Sequence, residues 1–474
     1  MDKAELFRLM RKNFVFEPTE GQLVVLHHLA AFLLSGKENP VYLLKGYAGT
    51  GKTTLVSMLV DILPLIGLRF VLLAPTGRAA KVLNQYSGKT ASTIHRKLYQ
   101  RTTMADGTIK VQRMLNRLKN TVFIVDEASM ISDSGSENQF ATSASLLDDL
   151  MDYVFEGEQC RLLLIGDQAQ LPPVGLETSP ALDFSFLKAA YPITTASFEL
   201  QDVMRQSLDS GILSNATVLR NRLNQQLFDF PVFNLQNFVD VIDVPPENFE
   251  DLLQQAFGSH DYNEAVIICR SNKRANRFNQ EVRYRILGRD NELAAGDLLM
   301  VVKNNYFWLD ENDQGGFIAN GDLAIVNRIV HYEELYELHF AEVEISLIDY
   351  PGSPAFTVKI IRDTLMAEGP SLGEKEFQDF VSRVEEDYQH IGSRRQRWAE
   401  MKKNPYFNAL QVKFAYALTC HKTQGGQWPK VFVDGGFLAA REKPDRNDFR
   451  WLYTAFTRAT KNLYLVNFPE SVYI

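Results

Sequence analysis

The sequence predicts an α/β protein built on two parallel-sheet cores, and three observations support this prediction. The chain has 474 residues, which is too long for one ordinary hydrophobic core, so two or more domains are expected. Short apolar runs of strand character alternate with segments of helical spacing, which is typical of a doubly wound parallel sheet. A glycine-rich loop joins the first of these strands to a helix, which is the setting of a phosphate-binding loop.

Composition and charge exclude several classes of protein. Hydrophobic residues make up 45% and charged residues 23% of the chain, as in an ordinary globular protein, and every long apolar run is broken by a charge. The first residues lack a secretory apolar stretch, so a cytoplasmic location without membrane contact is expected. Cys160, Cys269 and Cys420 are too far apart to indicate a disulfide framework or a zinc site. Since 58 acidic residues outnumber 50 basic ones, any nucleic acid must meet a local basic groove.

The first strand and the loop after it predict a site for ATP and Mg²⁺. Residues 41–44 are apolar, residues 46–53 read Gly-Tyr-Ala-Gly-Thr-Gly-Lys-Thr, and helical spacing resumes at 54–60. The glycines allow backbone N–H groups to converge on phosphate oxygens at a helix N-terminus. Lys52 can then reach the β- and γ-phosphates, and the Thr53 hydroxyl can ligate magnesium. The alternative is a glycine turn without a ligand.

Two further strands place polar groups at the same edge of the predicted sheet. Residues 121–125 form a buried strand that ends in Asp126 and Glu127. Carboxylates at the carboxyl end of a parallel strand face the phosphate loop, which suits Asp126 to magnesium and Glu127 to a general base. Alternatively, the two acids only begin a solvated loop. Residues 161–166 form the next strand, and a glutamine in the segment 168–170 after it could sense the γ-phosphate.

The motifs, taken in order, resemble the superfamily 1B DNA helicases of the RecD/Dda-like branch over nearly the whole chain. They are residues 19–22 (Thr-Glu-Gly-Gln), 46–54, 74–81, 92–95, 126–129 (Asp-Glu-Ala-Ser), 166–174, 203–206 (Val-Met-Arg-Gln), 416–425 and 452–459 (Leu-Tyr-Thr-Ala-Phe-Thr-Arg-Ala). The resemblance implies two RecA-like cores of the P-loop NTPase type, with ATP bound between them.

The resemblance also implies roles for individual residues of the nucleotide site. The nucleotide contacts are Gln22, Gly46, Ala48, Gly49, Thr50, Gly51, Lys52, Thr53, Thr54 and Gly425. Gln22 would read adenine, Gln170 would lie near the γ-phosphate, and Arg205 and Arg458 would act as arginine fingers from the second core. A planar guanidinium suits charge that is spread over phosphoryl oxygens. Taken alone, either arginine is more typical of a surface ion pair.

A second set of residues is predicted to contact nucleic acid. By resemblance, or from a basic and aromatic segment at 303–308, these are Pro75, Thr76, Arg78, Thr93, His95, Asn305, Thr419, His421 and Lys422. A lone histidine such as His95 is more often structural, and the aromatic residues of 303–308 are equally consistent with core packing. Many relatives continue the 416–425 motif with Ser-Glu where this chain has Gly426 and Gln427, so a ribose contact by Gln427 is in doubt.

The predicted domains are a first core at 1–194 and a second core at 195–474. The first holds a β-hairpin insert at about 97–113, around the turn Ala-Asp-Gly at 105–107, where the resemblance places a duplex-splitting pin. An inert surface hairpin is the alternative. The second holds a barrel-like insert of the SH3 type at about 330–410, which includes a charged helical segment at 374–403. That segment is a solvated helix face or a nucleic-acid contact.

The predicted function is that of a monomeric, ATP-dependent DNA helicase acting on single-stranded and forked DNA. Translocation from 5′ to 3′, and a place in DNA repair and recombination, are implied by the resemblance alone. Two alternatives stay open: a translocase that remodels bound proteins without separating strands, and an ATP-switched subunit of a recombination complex.

Overall fold

The computed structural model describes residues 1–103, 109–132, 145–204, 209–236, 238–259, 261–309, 317–350 and 352–473. Their helices and strands fall into two successive groups. The first comprises α1 (Lys3–Asn13), α2 (Glu20–Leu33), β1 (Pro40–Gly46), α3 (Lys52–Ile62), β2 (Arg69–Ala74), α4 (Gly77–Ser87), β3 (Ala91–Thr93), α5 (Ile94–Leu98), β4 (Tyr99–Thr103), β5 (Ile109–Arg113), β6 (Thr121–Val125), α6 (Leu146–Glu156), β7 (Arg161–Gly166), α7 (Phe184–Ala190) and β8 (Thr194–Leu200).

The second group completes the chain and contains more strands than the first. It comprises α8 (Gly211–Gln225), β9 (Val241–Val244), α9 (Phe249–Phe257), β10 (Ala265–Cys269), α10 (Asn272–Glu281), β11 (Leu298–Val301), β12 (Leu323–Leu335), β13 (Leu338–Leu347), β14 (Phe356–Ile361), α11 (Asp363–Met366), α12 (Glu374–Glu386), α13 (Arg394–Met401), β15 (Leu410–Phe414), β16 (Ala417–Thr419), β17 (Trp428–Asp434), α14 (Arg446–Phe456) and β18 (Ala459–Val466).

The first sheet has six parallel strands in the order β3-β2-β6-β7-β1-β8. Its central strand β6 is buried at every position, which explains why it is a continuous apolar run rather than an alternating one. Because β7 lies between β1 and β6, the phosphate loop, Asp126 and Asp167 follow neighbouring strands at one edge. This arrangement is the predicted one.

The second sheet has five parallel strands in the order β16-β10-β17-β18-β9. It shares one hydrophobic core with the barrel strands, so the two are packed as a continuous unit. The helix α14 begins at an Asp445 cap, where the Asp445 carboxylate accepts from the backbone N–H of Asp448 at 2.9 Å. Its residues 448–456 are all buried, and they bring the last motif into the interior between the two sheets.

A closed barrel of five strands, β11 to β15, is inserted into the second sheet. Its strands run from Leu298 to Phe414, beyond the predicted 330–410, because β11 pairs with both β12 and β15. That pairing joins segments far apart in sequence and could not be predicted from alternation alone. Helices α12 and α13 cover one side of the barrel through a separate cluster that includes Phe380 and Met401.

The fold class is confirmed: two parallel-sheet cores, a β-hairpin formed by β4 and β5, and a barrel with helices. The hairpin pairs five positions from Tyr99 to Thr103, and its turn at 104–108 lies outside the described residues. Within the described part of the chain, no helix combines the length and the apolar character needed to cross a membrane. The limits of the two cores, at 194 and 195, stay a prediction.

Candidate nucleotide and nucleic-acid sites

The phosphate loop is held in a shape that requires its glycines. Gly49 and Gly51 have φ of 76° and 86°, in the left-handed region. A Cβ on Gly51 would lie 2.4 Å from Nε2 of Gln22, and one on Gly46 would lie 2.8 Å from Oγ1 of Thr50. The loop therefore forms a narrow cradle of backbone, which is the architecture that binds phosphate.

Gln22, the predicted adenine contact, is fully buried and fixes this loop to α2. Its Nε2 donates to the backbone carbonyl of Thr50 at 3.0 Å, and its Oε1 accepts from the backbone N–H of Thr19 at 2.9 Å. The glutamine thus completes a capping box and reaches the phosphate loop from the side opposite β1. Contact with adenine stays a prediction.

Lys52 lies at the start of α3 with its ammonium group turned into the loop. Nζ donates to the backbone carbonyls of Gly46 at 2.6 Å and Tyr47 at 2.8 Å. Thr53 and Thr54 follow in the first helical turn, where a phosphate would meet the positive end of the helix. A cation within a ring of backbone donors fits a polyphosphate, and Thr53 supplies an oxygen of the kind that Mg²⁺ prefers.

The acidic motif faces the loop from the end of β6. One oxygen of Asp126 accepts from the Tyr86 hydroxyl at 2.5 Å, and the other accepts from the backbone N–H of Glu127 at 2.9 Å. Glu127 has φ of 52°, an uncommon left-handed conformation for a glutamate. Burial raises the pKa of the Glu127 carboxyl, and Arg458 opposes that shift. A strained, desolvated carboxylate at this position suits proton abstraction.

Arg458 reaches the site from the second sheet, as predicted. Its Nη1 lies 4.0 Å from Oε1 of Glu127, and only 3% of the residue is exposed. Two backbone carbonyls orient the guanidinium: Thr454 accepts from Nε at 3.0 Å, and Gly426 accepts from Nη1 at 3.2 Å. The other predicted finger, Arg205, lies outside the described residues.

The third motif, after β7, connects the two sheets. Gln170 is 6% exposed, and its Oε1 is buried without a hydrogen-bond partner among the described residues. An unpaired buried oxygen marks a position where a further donor belongs. The next residue, Leu171, is held from the second sheet at both ends: its N–H donates to Thr454 Oγ1 at 2.9 Å, and its carbonyl accepts from Gln424 at 2.6 Å.

Tyr453 is a site residue that sequence reasoning missed. Its hydroxyl accepts from the backbone N–H of Ala48 at 2.8 Å and donates to Asp167 at 2.6 Å, so it bridges the phosphate loop and the third motif. The Asp167 carboxylate also accepts from the backbone N–H of Ala169 at 2.9 Å. In the sequence Tyr453 is one aromatic residue on an apolar helix, which indicates core packing rather than function.

Several predicted nucleic-acid contacts are engaged within the protein. Arg78 is 8% exposed, and its guanidinium donates to Asn263 at 2.8 Å, Asp349 at 3.3 Å and the carbonyl of Gln427 at 3.2 Å. Thr76 caps α4 by accepting from the backbone N–H of Ala79 at 3.2 Å, and Pro75 is half-buried beside it. In this conformation partners from distant parts of the chain engage the Arg78 guanidinium, and its contact with nucleic acid stays a prediction.

The companion motif also has structural roles. Thr93 is 1% exposed and caps α5 by accepting from the backbone N–H of Arg96 at 3.2 Å. His95 packs beside Tyr99, with 5.7 Å between ring centroids, and beside Phe317 at 6.5 Å. Burial lowers the pKa of His95 to about 4, so it is a neutral ring at pH 7 and not a cation for phosphate.

The predicted contacts of the second half differ in their surroundings. The Asn305 side chain makes two hydrogen bonds within the protein. It donates to the Asn408 carbonyl at 2.7 Å and accepts from the Phe307 N–H at 3.0 Å. This favours a structural role over strand binding. Lys422 donates to Asn320 at 2.7 Å, in the turn before β12. Thr419 and His421 are half-buried on either side of Cys420, and burial lowers the pKa of His421.

Gly425, a predicted nucleotide contact, packs against α4 in this structure. A Cβ there would lie 2.6 Å from Cβ of Ala79 and 3.4 Å from Oγ1 of Thr76, so it packs on the N-terminus of α4 and not on the phosphate loop. Its φ of 73° allows that close approach. The nucleotide contact by Gly425 stays a prediction.

Two protein families match separate regions of the chain. Residues 20–229 match the AAA domain family, and residues 414–466 match the UvrD-like helicase C-terminal domain. The chain is 33% identical over 201 residues to the ATP-dependent RecD2 DNA helicase of Deinococcus radiodurans, covering 42% of this chain and 23% of that protein. It is 27% identical over 296 residues to the ATP-dependent DNA helicase dda of Enterobacteria phage T4, covering 60% of each. It thus spans less than a quarter of the first relative's length.

A solved structure gives a more distant likeness. The Pif1 helicase from Bacteroides in complex with ADP-AlF3 and ssDNA superposes with a TM-score of 0.45 and 17% identity, covering 93% of this chain and 92% of that one. A likeness of this size supports no conclusion about the reaction.

Proposed function

We propose that the chain is an ATP-dependent DNA helicase of the superfamily 1B, RecD/Dda-like branch, which its match to the AAA domain and UvrD-like C-terminal helicase families supports. It translocates on single-stranded DNA from 5′ to 3′ and separates duplex strands. The observation that most supports this proposal is the meeting of Glu127 and Arg458, one from each sheet, at 4.0 Å beside the phosphate loop. An ATP site completed by two cores changes when the cores move, which is what a motor requires.

The residues of the site have complementary chemistry. Lys52 exchanges its two backbone carbonyls for β- and γ-phosphate oxygens. Thr53 and Asp126 hold Mg²⁺, which when bound offsets the negative charge of the phosphates. Glu127 takes the proton of the attacking water, and Arg458, with Arg205, stabilises the charge that develops on the transferred phosphoryl group.

The same contacts connect nucleotide and strand. Nε2 of Gln424 donates to the Leu171 carbonyl of the third motif at 2.6 Å. The next residue, Gly425, packs on Thr76 at the start of α4. A shift of the second core on ATP binding therefore moves the 416–425 segment against α4. In this proposal the cores are residues 1–194 and 195–474, the hairpin at 97–113 is the pin, and a monomer binds single-stranded and forked DNA.

Strand separation is the decisive test. Duplexes with a 5′ or a 3′ tail, of DNA and of RNA, would be incubated with wild type, Lys52→Ala and the surface control Lys188→Ala. We expect wild type and Lys188→Ala to unwind the 5′-tailed DNA, and Lys52→Ala to lose unwinding because it cannot hold the phosphates. Equal unwinding by wild type and Lys52→Ala would refute the proposal.

ATP turnover measured in parallel separates the alternatives. Turnover stimulated by single strands, with the fork left closed, would make the protein a translocase. No stimulation at all would favour an ATP-switched subunit.

A further inference from the structure

A cavity of about 360 Å³ lies next to the phosphate loop, between the third motif and α14. Its inner wall contains Tyr47 of the loop together with Asp167 and Gln170, which are buried. Its outer wall contains Arg450 and the exposed Arg446, one helical turn apart. The cavity therefore extends from beside the phosphate loop to the protein surface. Gln22 and Lys52 do not line it.

The outer wall carries two arginines. Arg450 is 5% exposed, and one of its N–H groups, on Nη1, donates to the backbone carbonyl of Glu177 at 2.6 Å. Over the described ranges, no carboxylate lies within ion-pair distance of Arg450 or Arg446, and the more distant Glu177 offsets the charge of Arg450 only in part. Two like charges at this helical spacing repel one another, and Lys45 adds a third cation to the lining. Burial and the neighbouring Arg446 lower the pKa of Arg450 to about 10, so it is still charged at pH 7.

The three cations of the lining, Lys45, Arg446 and Arg450, outnumber its two carboxylates, Asp167 and Asp183, whose oxygens are engaged elsewhere. Asp167 accepts from Tyr453 at 2.6 Å and from the Ala169 N–H at 2.9 Å. Asp183 accepts from the backbone N–H groups of Ser185 at 2.9 Å and Phe186 at 3.0 Å. Both acids are thus committed to the fold. A buried arginine with spare donors, facing a polar cavity, is a site for a small anion.

We propose that this cavity binds the inorganic phosphate released by ATP hydrolysis and guides it to solvent. This inference rests on the proposed function. Phosphate that enters the cavity meets the buried Arg450 and the exposed Arg446 on its outer wall. The cations thus lie along an outward path that does not include Gln22.

Equilibrium binding tests the site without any turnover. The full chain, saturated with ADP and magnesium, would be titrated with inorganic phosphate and followed by calorimetry. We expect Arg446→Ala to weaken phosphate binding about tenfold, the cost of one charge-assisted contact, and Arg450→Gln to weaken it at least as much. Lys443→Ala, an exposed cation just before α14, should bind phosphate like wild type. Wild-type affinity in Arg446→Ala, a surface change that the fold tolerates, would overturn the proposal.

Two further measurements assign the anion and separate this inference from the proposed function. Added phosphate should inhibit ATP turnover of wild type, and Arg446→Ala should need about tenfold more for the same inhibition. A single-stranded oligonucleotide should not displace phosphate, and displacement would overturn the site as a product site. Phosphate binding that depends on Arg446, in a protein without ATP turnover, would refute the proposed function alone. Turnover without such binding would refute the phosphate site alone.

Discussion

The Tyr453 hydroxyl connects the phosphate loop to the third motif. It is 1% exposed, and it uses both its donor and its acceptor capacity, on Asp167 and on the Ala48 N–H. Asp167 is 1% exposed too, and burial raises the pKa of its carboxyl. The hydroxyl is therefore a structural requirement of the nucleotide site and not only a packing group.

Tyr453→Phe should lower the free energy of unfolding by about 1–3 kcal/mol, because a buried carboxylate loses a hydrogen-bond donor. Thermal unfolding of the nucleotide-free protein would show this as a lower midpoint temperature. The matched control is Tyr284→Phe, whose ring is 68% exposed and which should unfold like wild type. An unchanged midpoint for Tyr453→Phe would contradict the bridging role.

Some site residues could be predicted from the sequence and others could not, for a physical reason. Lys52, Asp126 and Glu127 follow strands directly, so local order along the chain determines where they lie. Arg78 could not be placed, because its partner Asp349 is 271 residues away and comes from a loop of the barrel. Sequence patterns report local geometry and burial, but not which distant loop covers a surface.

The turns at the end of the barrel hold a buried acid against the first core. Asp322, in the turn before β12, is fully buried and accepts from the Ala319 N–H at 2.8 Å and the Tyr350 hydroxyl at 3.0 Å. Nη2 of Arg96, from α5, lies 3.8 Å from Oδ2 of Asp322, and the Arg96 guanidinium lies 3.7 Å over the ring of Tyr350. Burial raises the pKa of Asp322 to about 6 even so.

This raised pKa predicts a pH-dependent stability. A carboxyl that binds its proton more tightly in the folded state contributes stability at low pH, and it loses that contribution as pH rises from the ordinary aspartate range to about 6. Asp322→Asn removes the titration. Its midpoint temperature should therefore rise relative to wild type across this window and keep a constant difference above it. Parallel curves for the two proteins would contradict the prediction, and Asp61→Asn, an exposed acid, is the control.

At the element scale, sequence patterns placed the barrel only in part. The alternation of β13 and β14 predicted a hairpin within 330–410, and the structure has that hairpin. Strands β11 and β15 are short and continuously buried, so nothing in their own pattern distinguishes a barrel strand from a core strand. Closure of the barrel is a tertiary event that brings together segments more than a hundred residues apart.

At the scale of the whole molecule, a loop of the barrel contacts α4 of the first core. Asp349 Oδ1 accepts from Arg78 and from Lys81, each at 3.3 Å, and a Cβ on Gly77 would lie 2.4 Å from the Tyr350 hydroxyl. The face of α4 that the resemblance assigns to nucleic acid is thus covered by the barrel. We expect strand binding to require release of this contact.

Asp349→Asn should release it in part, because a neutral amide attracts the two cations less. Single-strand affinity should increase, and its dependence on the logarithm of salt concentration should steepen by about 0.7 for each cation that then pairs with a phosphate. Fluorescence anisotropy with a labelled oligonucleotide at several salt concentrations measures both. Asp379→Asn, the same change on the exposed face of α12, is the control. An unchanged affinity and slope would show that the contact does not limit strand binding.

The contacts of Leu171 have a mechanical consequence for the junction of the two halves of the chain. Two residues of the second core hydrogen-bond the backbone of Leu171: Thr454 accepts from its N–H, and Gln424 donates to its carbonyl. The Leu171 side chain takes no part in these two hydrogen bonds. Force passing between the two halves at this point is transmitted through the backbone of one residue, whose N–H and carbonyl belong to adjacent peptide groups. The linkage therefore tolerates any side chain at 171 that fills the space, whereas loss of either Thr454 or Gln424 would let the halves slip.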